Sequence, residues 1–190
     1  MRAIAQTGLH YATDPFDRDR YEQLLALAAR EYADIAGIDV GEARARFAKD
    51  LGYVTAKVGA DAALFDDSDR ILLVRRVDDN RWGLVAGWVD ANETPEQTAV
   101  REIAEEVGLD ARITELVGVY ARPAGAHGNP HSVVSVVYLC EAIGGELRAQ
   151  PHEVREIAWR SIDDVDNWHH HHEMLARAAL EAHWRRAAAG

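Results

Sequence analysis

Glu102, Glu105 and Glu106 fall within one turn of a single predicted helix. At about 100° per residue they share one face, while Val100, Ile103, Ala104 and Val107 share the opposite one. Like charges three and four residues apart repel, by roughly a few tenths of a kcal/mol per pair in an isolated helix. A hard divalent cation such as Mg2+ offsets that repulsion, because it prefers carboxylate oxygens and fills its remaining positions with water or phosphate oxygens. Arg101, one turn before Glu105, is placed to hold a carboxylate in orientation. A solvated acidic helix face is the other reading, and the Glu residues taken alone leave both open.

The helix that must position these groups is well specified. Thr94 is a candidate N-cap, Pro95 fits the first helical position, Gln97 completes a capping-box pattern and Gly108 suits the stop, so the spacing predicts a helix from about Pro95 to Val107. Short apolar runs bounded by turn residues predict strands at Val58 to Phe65, Ile71 to Val77, Gly83 to Val89, Ile113 to Tyr120 and Ser132 to Cys140. Asp66 to Asp69 reads as a hairpin-type turn, and Gly144-Gly145 as the end of the last long strand. A second helix is predicted from about Asn167 to Arg186, giving a mixed α/β core, an α+β arrangement. The run His169 to His172 reads as the solvated start of that helix, with only His169 and His172 three residues apart.

Ahead of this core, Tyr21, Leu24, Leu25, Ala28 and Tyr32 recur at helical spacing, introduced by Asp14-Pro15. A second short helix fits Val40 to Leu51 with Gly52 as its stop. We therefore divide the chain into a helical hairpin domain at 1–53 and a second domain at 54–190. The hairpin has too little core to stand alone, and docking on its own chain or on a second subunit follows.

The chain of 190 residues carries Lys+Arg 21 against Asp+Glu 32, a formal charge of −11. That balance argues against non-specific binding to nucleic acid or to an anionic membrane, and suits a cation or a metal-bound substrate. Cys140 stands alone, so an intramolecular disulfide is impossible and a reducing setting is the default. The first residues lack the apolar centre of a signal peptide and no apolar stretch approaches the roughly 18 residues of a membrane span, so a cytoplasmic location is expected.

From Gly87 the chain reads G-x5-E-x7-R-E-U-x-E-E-x-G-U, filled by Gly87, Glu93, Arg101, Glu102, Ile103, Glu105, Glu106, Gly108 and Leu109. This pattern resembles the Nudix box of the Nudix hydrolase family. The resemblance implies a mixed β-sheet sandwiched between helices and hydrolysis of a pyrophosphate linkage with Mg2+ or Mn2+. It implies Glu102, Glu105 and Glu106 as metal ligands, a further ligand from the Gly87 carbonyl, and Glu93 and Arg101 as braces. Metal ions would neutralise phosphate charge, orient the chain for in-line attack and acidify a water molecule. Many members carry a second Gly where Trp88 stands. Gly-Trp-Val-Asp running into Thr-Pro-Glu, with Ile-Ala-Gln-Thr-Gly-Leu and Asp-Arg-Tyr-Glu near the N-terminus, looks like the subgroup with a helical N-terminal domain that acts on X-linked nucleoside diphosphates.

Outside the box, Glu153 precedes a short strand ending near Trp159, where the family often supplies a general base or further ligand, and Glu156, His131 and His152 are weaker candidates. The Gly-, Pro- and His-rich loop from Arg122 to His131 lies between two strands; Arg122 would meet a phosphate, and His127 or His131 a base or sugar. An ordinary connection is the alternative. Three functions follow. The first is cleavage of nucleoside diphosphate-X compounds such as ADP-ribose, CDP-choline or a UDP-sugar to a nucleoside monophosphate and X-phosphate. The others are a nucleoside triphosphate pyrophosphatase and a non-catalytic nucleotide-ligand sensor. A homodimer is the expected assembly, with a nucleotide-type small molecule as the partner.

Overall fold

The computed structural model describes residues 1–50, 54–126 and 129–189. Gly52, the expected stop of the second helix, and His127, a candidate substrate contact, lie outside them. The described chain forms two compact units, residues 1–57 with 122–133 and residues 58–121 with 134–190.

The first unit is built on α1 (Arg2–Tyr11), α2 (Pro15–Ala36) and α3 (Val40–Lys49). Asp14 caps α2 by accepting from the Phe16 and Asp17 N–H groups, and Asp39 caps α3 through Gly41 and Glu42. Their shared core is Ala28, Ala29, Tyr32, Ala33, Ala43 and Phe47. Helix α1 was not legible in the sequence. It buries only Ala5 fully, and it carries Gly8, a poor helix former, at mid-length. Gly8 is there for space: a Cβ would come within 2.3 Å of the Tyr21 ring, so a glycine lets α1 lie close against α2.

The second unit contains two small sheets. Strands β1 (Lys57–Leu64), β4 (Val85–Trp88), β5 (Leu109–Arg122) and β6 (Val133–Gly145) form one in the order β4-β1-β6-β5, and β2 (Ile71–Arg76), β3 (Trp82–Gly83) and β7 (Val154–Arg160) form the other in the order β3-β2-β7. Helix α4 (Pro95–Glu102) continues into a π-helical turn at Ile103–Val107, and α5 (His172–Ala189) closes the chain.

Strand periodicity explains the layers. Ala60, Ala62, Leu64, Leu72 and Val74 bury against Ala99, Ile103 and Val107 of the α4 segment. The alternate residues Ala63, Ile71 and Leu73 bury against Leu175, Ala176 and Ala179 of α5. The sheets are thus covered by helices on both faces, the α+β arrangement expected.

The structure corrects several boundaries. The single strand predicted at Gly83 to Val89 is two, β3 pairing with β2 and β4 with β1, so the chain changes sheets at Leu84. The helix predicted to Val107 keeps α geometry only to Glu102 and then widens. The last helix starts at His172 rather than Asn167, because Trp82 and Trp168 form a parallel bridge that holds the preceding residues extended. The His run is accordingly not a solvated start: His172 is 6% exposed, and His169 Nδ1 donates to Asp79 Oδ2 at 2.6 Å.

Candidate metal and active site

The α4 segment starts where its capping box places it. Thr94 Oγ1 accepts from the Gln97 N–H and Gln97 Oε1 from the Thr94 N–H, and Gly108 ends the segment at φ 75. The acidic face then meets two other segments. Strand β4 presents Gly87 to Glu102 so closely that a Cβ there would lie 1.7 Å from Glu102 Oε1, and the Ala86 N–H donates to Glu106 Oε2 at 3.3 Å. On the other side the Gln150 N–H donates to the Glu106 carbonyl at 3.1 Å, and the Gln150 side chain and carbonyl accept from the Glu153 N–H. That turn ties the segment before β7 to the end of the α4 segment.

Carboxylate oxygens of Glu102, Glu106 and Glu153 therefore all lie within 4.8 Å of one another. Glu106 is buried, and burial with the adjacent Glu102 charge pushes its carboxyl up to about 8. Burial also raises Glu102, against the pull of Arg101. Three oxygen donors closing on one point, two of them buried, suit a hard divalent cation, and the donor set fits Mg2+ or Mn2+.

Arg101 organises the rim. It donates to both Glu93 oxygens at 2.9 and 3.0 Å, to Glu102 Oε1 at 2.7 Å, to Glu105 Oε2 at 3.0 Å and to the Trp88 carbonyl at 3.3 Å. The Arg101 and Thr98 hydrogen bonds hold Glu93 down to about 2, and the guanidinium in turn is held firmly charged. Glu93 thus fixes the arginine, and the arginine turns one Glu102 oxygen.

The other candidates are placed differently. Glu105 is exposed and paired with Arg101, outside the group of three. Glu156 lies on β7 opposite Arg75, at 3.4 Å from it, and His152 is exposed in the turn before β7. Arg122 ends β5 and belongs, with His131, to the unit of the N-terminal helices. There His131 Nε2 is 3.3 Å from the Tyr32 hydroxyl, with the rings edge to face, and burial lowers its pKa. Trp88 is 53% exposed at the end of β4. Two groups escaped sequence reasoning: Arg76, whose positive charge lowers Glu106, and the buried Asp61. A single Asp within the apolar run Gly59 to Leu64 was the available signal for the second.

This fold and acidic site define a class. Residues 55–178 match the model of the NUDIX domain, and residues 1–47 match that of a UDP-X-like N-terminal oligomerisation domain. The chain belongs to the Nudix family and is a Nudix hydrolase. It is 33% identical over 147 residues to YjhB of Bacillus subtilis (strain 168), covering 77% of this chain and 70% of that protein. It is 32% identical over 129 residues to the ADP-ribose pyrophosphatase of Methanocaldococcus jannaschii, covering 66% of this chain and 73% of that one. A solved UDP-X diphosphatase superposes with a TM-score of 0.61 at 25% identity, covering 96% of this chain and 91% of its own. Among the described residues no helix is long and apolar enough to cross a membrane.

Proposed function

We propose that this protein is a divalent-metal-dependent hydrolase of the pyrophosphate linkage in nucleoside diphosphate-X compounds, releasing a nucleoside monophosphate and X-phosphate. The observation that carries the reading is the convergence of Glu102, Glu106 and Glu153 beside the buried end of the α4 segment. The names of the methanogen ADP-ribose pyrophosphatase and of the UDP-X diphosphatase structure support the substrate class. Glu102, Glu106 and Glu153 would hold Mg2+ or Mn2+ with the Gly87 carbonyl beside them, and Glu105, implied as a ligand by the box, would have to leave its pairing with Arg101 to join them. When bound, the cation supplies neutralisation of charge on the bridging phosphates and acidifies the attacking water.

The chain's own residues do the rest. Arg101 keeps Glu102 oriented through its pairing with Glu93. Glu153, exposed at its turn, accepts the proton of the water that attacks phosphorus as the anhydride P–O bond breaks. The match of residues 1–47 to an oligomerisation domain supports a homodimer.

The test is phosphate release, coupled to a phosphatase, from ADP-ribose, CDP-choline, UDP-glucose and the common triphosphates with Mg2+ or Mn2+, comparing the natural chain with Glu106→Gln. Turnover of a diphosphate conjugate that falls at least about a hundredfold in the variant is the expected result, a loss of roughly 2.7 kcal/mol of transition-state stabilisation. Preference for triphosphates would overturn the substrate class, and ligand binding without any turnover would overturn the hydrolytic reading.

A further inference from the structure

The buried imidazole of His172 is not used by the chemistry above, yet it touches the strand that faces the carboxylates. Leu84 is the residue at which the chain passes from β3 to β4. It falls between the two ladders, whose registers end at Val74↔Gly83 and Ala62↔Val85. Its N–H is buried with the residue, which is 1% exposed, so an acceptor must be supplied from elsewhere. His172 Nδ1 supplies it at 3.0 Å.

Two other features fix that ring. A Cβ on Gly83 would lie 3.0 Å from His172 Nδ1, so the imidazole rests directly on the strand backbone. On its far side Nε2 is 3.8 Å from Asp61 Oδ1, and Asp61 is the ladder partner of Ala86. Burial, with the neighbouring His169, His171, Arg76 and His170, lowers the His172 pKa well below the ordinary value, so the ring is neutral. An Nδ1 that accepts leaves the proton on Nε2, facing the Asp61 carboxyl. The same segment grips Trp82 as well: the Trp82 N–H donates to the Asn167 carbonyl at 2.9 Å and the His169 N–H to the Trp82 carbonyl at 2.7 Å.

We propose that His172 is a positioning residue for the acidic site, holding Leu84 so that the next residues of β4 set the Ala86 N–H against Glu106 and the bare Gly87 against Glu102. The inference rests on the reading of that site as a metal centre. It extends the supporting shell from the box to a side chain at the start of the last helix. Partners of this kind change metal affinity through the ligands they orient.

The experiment compares His172→Leu, His172→Asn and His172→Gln in the full chain. Asn places an amide oxygen where Nδ1 stands, whereas Gln reaches the position of Nε2. Two readouts are taken: Mn2+ binding by titration of the metal alone, and hydrogen exchange of the Leu84 and Ala86 amides. The Leu and Gln variants should bind Mn2+ about tenfold to a hundredfold more weakly, and the Asn variant within about threefold of the natural chain. Ala86 exchange should accelerate at least about tenfold in the first two and recover in the third. A purely structural histidine would lower the melting temperature in all three variants while leaving Mn2+ affinity and Ala86 exchange in place, and that result overturns the proposal. Equal defects in the Asn and Gln variants overturn it too, and that pair decides the matter if the Leu variant fails to fold. Should the natural chain and Glu106→Gln both fail to bind Mn2+, the metal reading of the site falls, and Ala86 exchange alone decides the role of His172.

Discussion

Glu106 is pressed by two opposing conditions: it is buried beside another carboxylate, and it faces the point where a cation would be held. Its raised pKa, about 8 against the ordinary 4.5, means that the metal-free fold favours the neutral acid. The stabilising contribution of that neutral form is complete below about 4.5 and is lost as pH rises through about 8. In the presence of a chelator the melting temperature should therefore fall between about pH 5 and about pH 8 and level off above that, and saturating Mn2+ should abolish the fall by replacing the proton. A flat profile in chelator would contradict the burial argument. Glu93 runs the other way: its lowered pKa contributes stability above the ordinary carboxylate range that is lost as pH falls toward about 2. Arg101 makes its contacts as a planar fork, donating to three carboxylates and a carbonyl. Lysine keeps the charge but not the fork, so Arg101→Lys should weaken Mn2+ binding roughly tenfold or more with little change in melting temperature, as read by metal titration and calorimetry.

The α4 segment and β4 act as a pair of elements. Gly87 is needed for lack of volume, since its Cβ would overlap Glu102. Gly87→Ala should leave the fold intact but displace Glu102, costing about tenfold or more in kcat with KM little altered in the phosphate-release assay. Thr94→Ala removes one half of a formed capping box and should lower stability by about 1 kcal/mol, measured by denaturant unfolding, without touching the carboxylates directly. The start and end of the α4 segment were readable because caps and the closing glycine are local features. The widening into a π turn after Glu102 was not, because it depends on how Ile103 and Val107 seat in a core made by strands distant in sequence. Strand β4 was misjudged for the same reason: an apolar run from Gly83 to Val89 says nothing about which sheet each half joins.

At the scale of the whole molecule, each unit has its own buried core, and the N-terminal match suggests what the first is for. Sedimentation equilibrium of the full chain should give twice the chain mass, and a monomer at micromolar concentration would contradict the homodimer. The sequence by itself determined the helix caps, the short apolar runs that become strands, and the box spacing that places Glu102, Glu105 and Glu106 within one turn. All of these depend on residues a few positions apart. Only the tertiary structure decided that Glu153 closes on Glu102 and Glu106 while Glu105 turns out to Arg101. It likewise decided that His172 packs inward and His169 pairs with Asp79, because Trp82 bridges Trp168 and Leu84 needs an acceptor. These outcomes follow from unpaired backbone groups finding partners across long stretches of chain, and spacing along the sequence carries no record of such pairings.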